Sequence, residues 1–186
     1  MSNFIDDFRE KIAGYFLKRE IKKQPHKASI HNLQTAESAG ILFDATQPEN
    51  LKIVKELIGE LKEFNIQSKA LGYINQSKRD DDYIGDNIYS FVCKKDFSLF
   101  YKPKSENITQ FMETPFHLLI VLANEFLFPI DYIGSLSKAQ FKAGRTNIDN
   151  EMFDFMIELK EGDSIKDLKK HIIHYLSIIN NKNTQC

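Results

Sequence analysis

The chain has 186 residues, 42% of them hydrophobic, and its 26 acidic side chains against 25 lysines and arginines leave a formal charge of −1. That balance excludes a polyanion mimic and a general nucleic-acid binder, so any electrostatic partner must be recruited by a local patch. The length suits a terminal arm plus one domain of roughly 100–200 residues with a sizeable core.

Two cysteines, Cys93 inside an apolar run and Cys186 at the end, cannot build a disulfide framework, and neither stands at metal-ligand spacing from a second Cys or His. A reduced, cytoplasmic protein without a metal or cofactor is expected. Residues 1–20 lack the apolar run and cleavage site of a signal peptide. The longest apolar stretch, Phe116 to Ile130, is interrupted by Asn124, Glu125 and Pro129, so no membrane span is expected.

Over residues 4–22, Phe4, Ile5, Phe8, Ile12, Tyr15, Phe16 and Ile21 recur at intervals of three and four, which predicts an amphipathic helix ending before Pro25. Lys18, Arg19, Lys22, Lys23 and Lys27 stand there against Glu20 alone, a local charge of about +4. Residues 1–27 therefore read as a basic arm and 28–37 as a polar connector.

From residue 38 to 180 strands alternate with helices. Ile41-Leu42-Phe43 is the first strand. Thr46 with Glu49 resembles a capping box, and Leu51, Val54, Leu57, Ile58, Leu61 and Phe64 give the buried face of the helix that follows. Ile66 to Ile74 is then a second strand, in a right-handed parallel unit with the first. Ile88 to Val92 is a third strand, while residues 97–101 fit either strand or turn.

Leu118 to Leu122, apolar throughout, is a central strand covered on both faces. Pro129 to Ser137 forms a short helix, Gln140 to Ala143 a short strand ending at Gly144, and Phe153 to Leu159 another strand. Ser164 with Asp167 caps the last helix, whose Ile165, Leu168, Ile172, Tyr175, Leu176 and Ile179 face the sheet. Residues 181–186 are a frayed tail. The fold class is α/β: three layers around a mostly parallel sheet, Rossmann-like or flavodoxin-like, with an N-terminal helical arm.

The turn after the first strand, Asp44-Ala45-Thr46-Gln47-Pro48, holds no glycine. Dinucleotide and P-loop proteins need glycines there so that the backbone can approach the phosphates, so that function is removed. Asp44 ends a strand where open sheets place ligands, but a phosphotransferring aspartate would want a second Asp at position 46 or an acidic pair upstream. Asp44 and Thr46 therefore read as turn and cap residues. Arg79-Asp80-Asp81-Asp82 with Asp86 lacks the alternation of a Ca²⁺ loop and reads as a solvated loop.

His171 and His174 have ligand spacing but no acidic third ligand, so they read as part of a solvated basic face. His117 reads as a boundary residue of the central strand. Lys94 to Lys104 interleaves aromatics with cations, a composition that can stack bases and pair phosphates, although packing is the commoner use of such aromatics.

The segments "GILFDAT", "KKDFSLFYKP" and "FHLLIVLANEFLFPIDYIGSLSKAQFKAGR" resemble an uncharacterised bacterial family of short cytosolic α/β proteins over residues 38–180. A weaker likeness is to one Rossmann-like half of heptosyltransferases, but His117 and Val121 stand where that resemblance implies acids. The leading expectation is a non-catalytic interaction module of a larger intracellular assembly, contacting protein or RNA through Lys18, Arg19, Lys22, Lys23 and Lys27. The alternative is a small enzyme binding a nucleotide or sugar phosphate at the strand ends, with Asp44, Asn75 and Asn124 as its polar groups.

Overall fold

A computed structural model describes residues 2–78, 83–146 and 153–179, and the side chains of the first helix from Arg9 onward. The elements in chain order are α1 (Ser2–Lys23), β1 (Ser38–Asp44), α2 (Pro48–Glu63), β2 (Gln67–Ile74), β3 (Tyr89–Cys93), α3 (Glu106–Glu113), β4 (Leu118–Leu122), α4 (Phe128–Leu136), β5 (Phe141–Arg145), β6 (Phe155–Ile157) and α5 (Ile165–Ile178). A single turn of 3₁₀ helix, Lys94–Asp96, follows β3.

The six strands form one sheet in the order β3-β2-β1-β4-β5-β6, with every neighbouring pair parallel. Parallel strands need crossovers over a face of the sheet, and both faces are covered here. On one face α2 contributes Val54, Leu57 and Leu61, and α5 contributes Ile165, Leu168, Ile172 and Leu176. On the other, α3 sends in Ile108 and Phe111, and α4 sends in Ile130 and Ile133. All five residues of β4 are consequently buried, as its apolar run requires. The order identifies the Rossmann-like alternative: successive crossovers run outward from β1 on one side and from β4 on the other, so the direction of winding switches between those two strands.

Several local expectations are corrected. Helix α2 is capped at Gln47, whose side chain makes no capping bond, and starts on Pro48; the Thr46 hydroxyl instead accepts the main-chain N–H of Asn75 at 2.9 Å. Residues 97–101, which fitted either strand or turn, are a turn: Phe97 bridges Pro103 in antiparallel fashion, and Tyr101 takes a left-handed φ of 59°. Helix α3 was not expected. The cap at Ser164 stands, its N–H donating to Asp167 Oδ2 at 2.9 Å and its Oγ accepting from Asp167 N at 3.4 Å.

The connector is less polar in its use than in its composition. Leu33 and Ala36 are buried, and the segment is stitched to the domain by Ser29 N–H to the Gln140 carbonyl at 2.9 Å and Leu33 N–H to the Leu176 carbonyl at 3.2 Å. The arm, too, belongs to the domain. Its Ala13 and Leu17 pack on Phe128 and Tyr132 of α4, whereas Tyr15 and Phe16, expected on the apolar stripe, face outward. The helix docks through Ala13 and Leu17, with Ile21 of the expected stripe partly buried beside them.

Candidate functional site

Two surfaces bring chemistry-bearing residues together. The first is the outward face of α1. With Ala13 and Leu17 turned to α4, helical geometry of 3.6 residues per turn sends Lys11, Tyr15, Phe16, Lys18, Arg19, Lys22 and Lys23 into solvent, and all seven are exposed. Both glutamates of the described part, Glu10 and Glu20, fall at half-buried flanking positions instead. Glu20 accepts from Lys23 Nζ at 2.7 Å, and that hydrogen bond holds its carboxyl below the usual carboxylate range. Among the described residues Lys18, Arg19, Lys22 and Lys27 make no ion pair.

The same surface continues onto the turn after β3. Tyr15 meets Phe16 edge to face with ring centroids 5.9 Å apart, and Phe16 lies 6.5 Å from Phe100. Tyr15 is 68% exposed, Phe16 47%, Leu99 60% and Phe100 41%, while Phe97 is buried. A groove of about 440 Å³ runs beside Phe16 and Phe100, with Glu20, Gln24, Ser98 and Lys102 among its polar walls. The sequence Lys94 to Lys104 thus divides its aromatics between packing and surface.

The second surface is a crevice of about 510 Å³ at the carboxyl ends of β2, β3 and β4, on the α4 side of the sheet. Asn75, Ser77 and Lys94 follow the strands into it, Glu125 enters from the β4–α4 turn, and Arg9 and Glu10 reach over from α1. The Arg9 Nε donates to the Leu99 carbonyl at 3.0 Å and its guanidinium lies 5.3 Å from the Tyr101 ring centre, which ties α1 to the turn that walls the crevice. Tyr73 is buried at its floor; burial pushes its phenol above the ordinary range, so at neutral pH it is a neutral donor 3.4 Å from Asn75 Oδ1.

Of the three ligand-binding candidates, only Asn75 lines this crevice. Asp44 is spent locally: its Oδ1 accepts the Thr46 N–H at 2.9 Å and its carbonyl accepts from Asn50 Nδ2 at 2.9 Å. Asn124 is exposed in the turn after β4 and lies outside the crevice lining. The β1–α2 turn uses the N–H of Ala45 on the Tyr73 carbonyl at 2.8 Å, so its backbone is committed to the fold as its lack of glycine suggested. Sequence reasoning missed Arg9, Glu10 and Ser77; Lys94 carried a signal, standing directly after a strand.

His171 and His174 are exposed on α5. His117 Nδ1 lies 3.0 Å from Ser38 Oγ and its ring meets His31 edge to face at 4.7 Å, at the amino ends of the central strands and so at the opposite end of the sheet from the crevice. Residues Arg79, Asp80, Asp81 and Asp82 and the tail lie outside the described residues. Among the described residues no helix is long and apolar enough to cross a membrane.

Fold and surfaces together define a doubly wound parallel α/β domain with an integrated cationic helix and a crevice at the strand ends. The chain belongs to DUF6913, a family of unknown function, whose pattern matches residues 9–179 and so takes in the arm as well as the sheet. No curated protein and no solved structure matches the chain, and the likeness to half of a heptosyltransferase gains no support.

Proposed function

We propose that this protein is a non-catalytic interaction module of a larger bacterial, cytoplasmic assembly, and that α1 is its contact surface for an acidic macromolecular partner, a protein or an RNA. The observation that carries this reading is the charge of the outward face of α1: among the described residues Lys11, Lys18, Arg19, Lys22 and Lys23 are exposed there, against the partly exposed Glu20 at its margin, in a chain whose overall charge is −1. A patch of one sign on a nearly neutral molecule steers and orients a partner of the opposite sign. Removing residues 1–27 would strip Ala13 and Leu17 from α4 as well, so the test is charge reversal. The triple variant Lys18→Glu, Arg19→Glu, Lys22→Glu keeps the docked face, and it should lose salt-sensitive co-purifying protein or RNA from native cells. Unchanged capture by that variant would sink the reading.

A second reading is supported by the position of the crevice, at the strand ends beside the winding switch, where open α/β sheets bind small molecules. Its volume suits a nucleotide or sugar phosphate, with Lys94 as the anion partner and Asn75 and Ser77 as hydrogen-bonding groups. A ligand at about 100 times its Kd adds roughly 2.7 kcal/mol of stability. AMP, UMP and glucose 6-phosphate should then raise the melting temperature of the wild type and not of Lys94→Ala. A flat melting curve with all of them at millimolar concentration counts against a site for this class.

A further inference from the structure

We infer that the surface made by Tyr15, Phe16, Phe100 and the cations of α1 binds single-stranded RNA, with bases stacked on the rings and phosphates paired to the ammonium and guanidinium groups. The inference rests on the reading of α1 as the contact surface and adds the partner's chemistry. Three aromatic rings stand exposed in a contiguous row, Tyr15 to Phe16 at 5.9 Å and Phe16 to Phe100 at 6.5 Å, although the chain has a full core in which to bury them. Cations line the same helix face from Lys11 to Lys23, about 18 Å at 1.5 Å per residue. Rings beside exposed cations, of which Lys18, Arg19 and Lys22 make no ion pair among the described residues, are what an unpaired strand requires, because every base has a face to stack and every nucleotide a phosphate to neutralise.

Other occupants fit less well. A second copy meeting this face across a two-fold axis would oppose cations to cations. An acidic protein surface with no apolar patch of its own would use the cations and leave three rings in water. Duplexes hide the base faces on which the rings would stack. The groove beside Phe16 and Phe100 also offers Glu20, Gln24 and Ser98, which can bond the 2′-hydroxyls that RNA has and DNA lacks.

The test is fluorescence anisotropy of the full chain with a labelled oligouridine of about 16 nucleotides, the matching deoxy oligonucleotide, an RNA duplex, heparin and polyglutamate. The oligouridine should bind most tightly, and its affinity should fall with salt at a slope of roughly 0.7 per phosphate contacted. Tyr15→Ala and Phe100→Ala, at exposed positions that do not hold the fold, should each weaken it at least about fivefold while leaving heparin binding and the salt slope unchanged. Equal binding of the deoxy oligonucleotide or of the duplex overturns the RNA assignment. If oligouridine binds but both aromatic variants match the wild type, the stacking surface is overturned and the cationic reading survives. Binding of polyglutamate without oligouridine has the same effect. If neither heparin nor oligouridine nor polyglutamate binds, the cationic reading falls as well.

Discussion

Lys142 Nζ donates to the Gly134 carbonyl at 3.1 Å, and a second bond to Ser135 O at 3.0 Å completes a cap on the C-terminal turn of α4. The lysine sits on β5 with 1% of its surface exposed, so a strand supplies the cation that the negative end of the neighbouring helix wants. Burial lowers its pKa to about 8, against the opposing pull of the Asp154 carboxylate.

That shift sets a pH dependence. The unfolded chain holds the lysine proton up to the ordinary value of 10.5, whereas the folded chain releases it near 8, so between those values the unfolded state binds more protons and stability rises with pH. The cost of burying the charge, fully present below pH 8, is of order 3 kcal/mol and is relieved across that window. Urea unfolding at intervals from pH 7 to about 9.5 should show the wild type gaining on Lys142→Met as pH rises. A constant difference between the two would mean that Lys142 titrates normally.

Lys169 and Glu60 tie α5 to α2 across one face of the sheet. The ammonium lies 2.7 Å from Glu60 Oε1 and 3.5 Å from Glu56 Oε2, with the lysine side chain buried and both carboxylates partly exposed. The asymmetry predicts unequal consequences. Glu60→Gln leaves Lys169 with Glu56 and a neutral acceptor and should cost about 1 kcal/mol or less. Removing both acids strands a buried charge and should cost about 3 kcal/mol. Lys169→Met, which removes the charge and keeps the volume, should cost less than the double acid variant. Denaturant midpoints for the three variants check the order, and a reversed order would show that the pair carries little of the α2–α5 contact.

The sequence made the sheet legible wherever apolar residues ran without interruption. Leu118 to Leu122 could only be a doubly covered strand, and Ser164 with Asp167 announced the last helix through a cap that does form. Helix α3 escaped because only Ile108 and Phe111 are buried on it, two positions being too few to establish a period. The Thr46–Glu49 spacing suggested a cap that tertiary structure overrides, since the Thr46 hydroxyl accepts the N–H of Asn75, the residue that follows the neighbouring strand. The crevice was legible at Asn75 and not at Arg9 or Glu10, because no local pattern tells which side of an arm returns to the sheet.

Gly72 marks a place where three strands and a turn crowd one atom. A Cβ there would stand 2.8 Å from the Ala45 Cβ, 2.8 Å from Phe43 Cζ and 2.9 Å from Phe91 Cδ1. The Ala45 methyl lies in the β1–α2 turn and cannot rotate away. Gly72→Ala should therefore cost about 1–3 kcal/mol by overpacking, and Gly72→Val more. Gly59, on α2 with nothing within 4 Å of its virtual Cβ, provides the control. There Gly→Ala should stabilise by about 0.5–1 kcal/mol through helix propensity. Thermal melts of the two alanine variants should move in opposite directions.

Leu17 tests whether the arm is held as part of the domain. Its side chain is 3% exposed and packs with Ala13 against Phe128 and Tyr132, and Leu→Ala at a buried position ordinarily costs about 2–5 kcal/mol. A terminal helix has another way out: when its docking free energy is smaller than the penalty, it undocks, and the loss of global stability stops at that smaller value. Leu17→Asp, which buries a charge on undissociated α1, should then cost no more than Leu17→Ala in global unfolding while exposing the arm to trypsin at Lys18, Arg19, Lys22 and Lys23. The wild type, with Leu17 buried and Arg9 bonded to Leu99 O, should resist cleavage at those sites. Equal cleavage of wild type and variant would mean that α1 is not held on α4 in solution. Equal resistance with a larger global loss from Leu17→Asp would mean that arm and domain unfold only together.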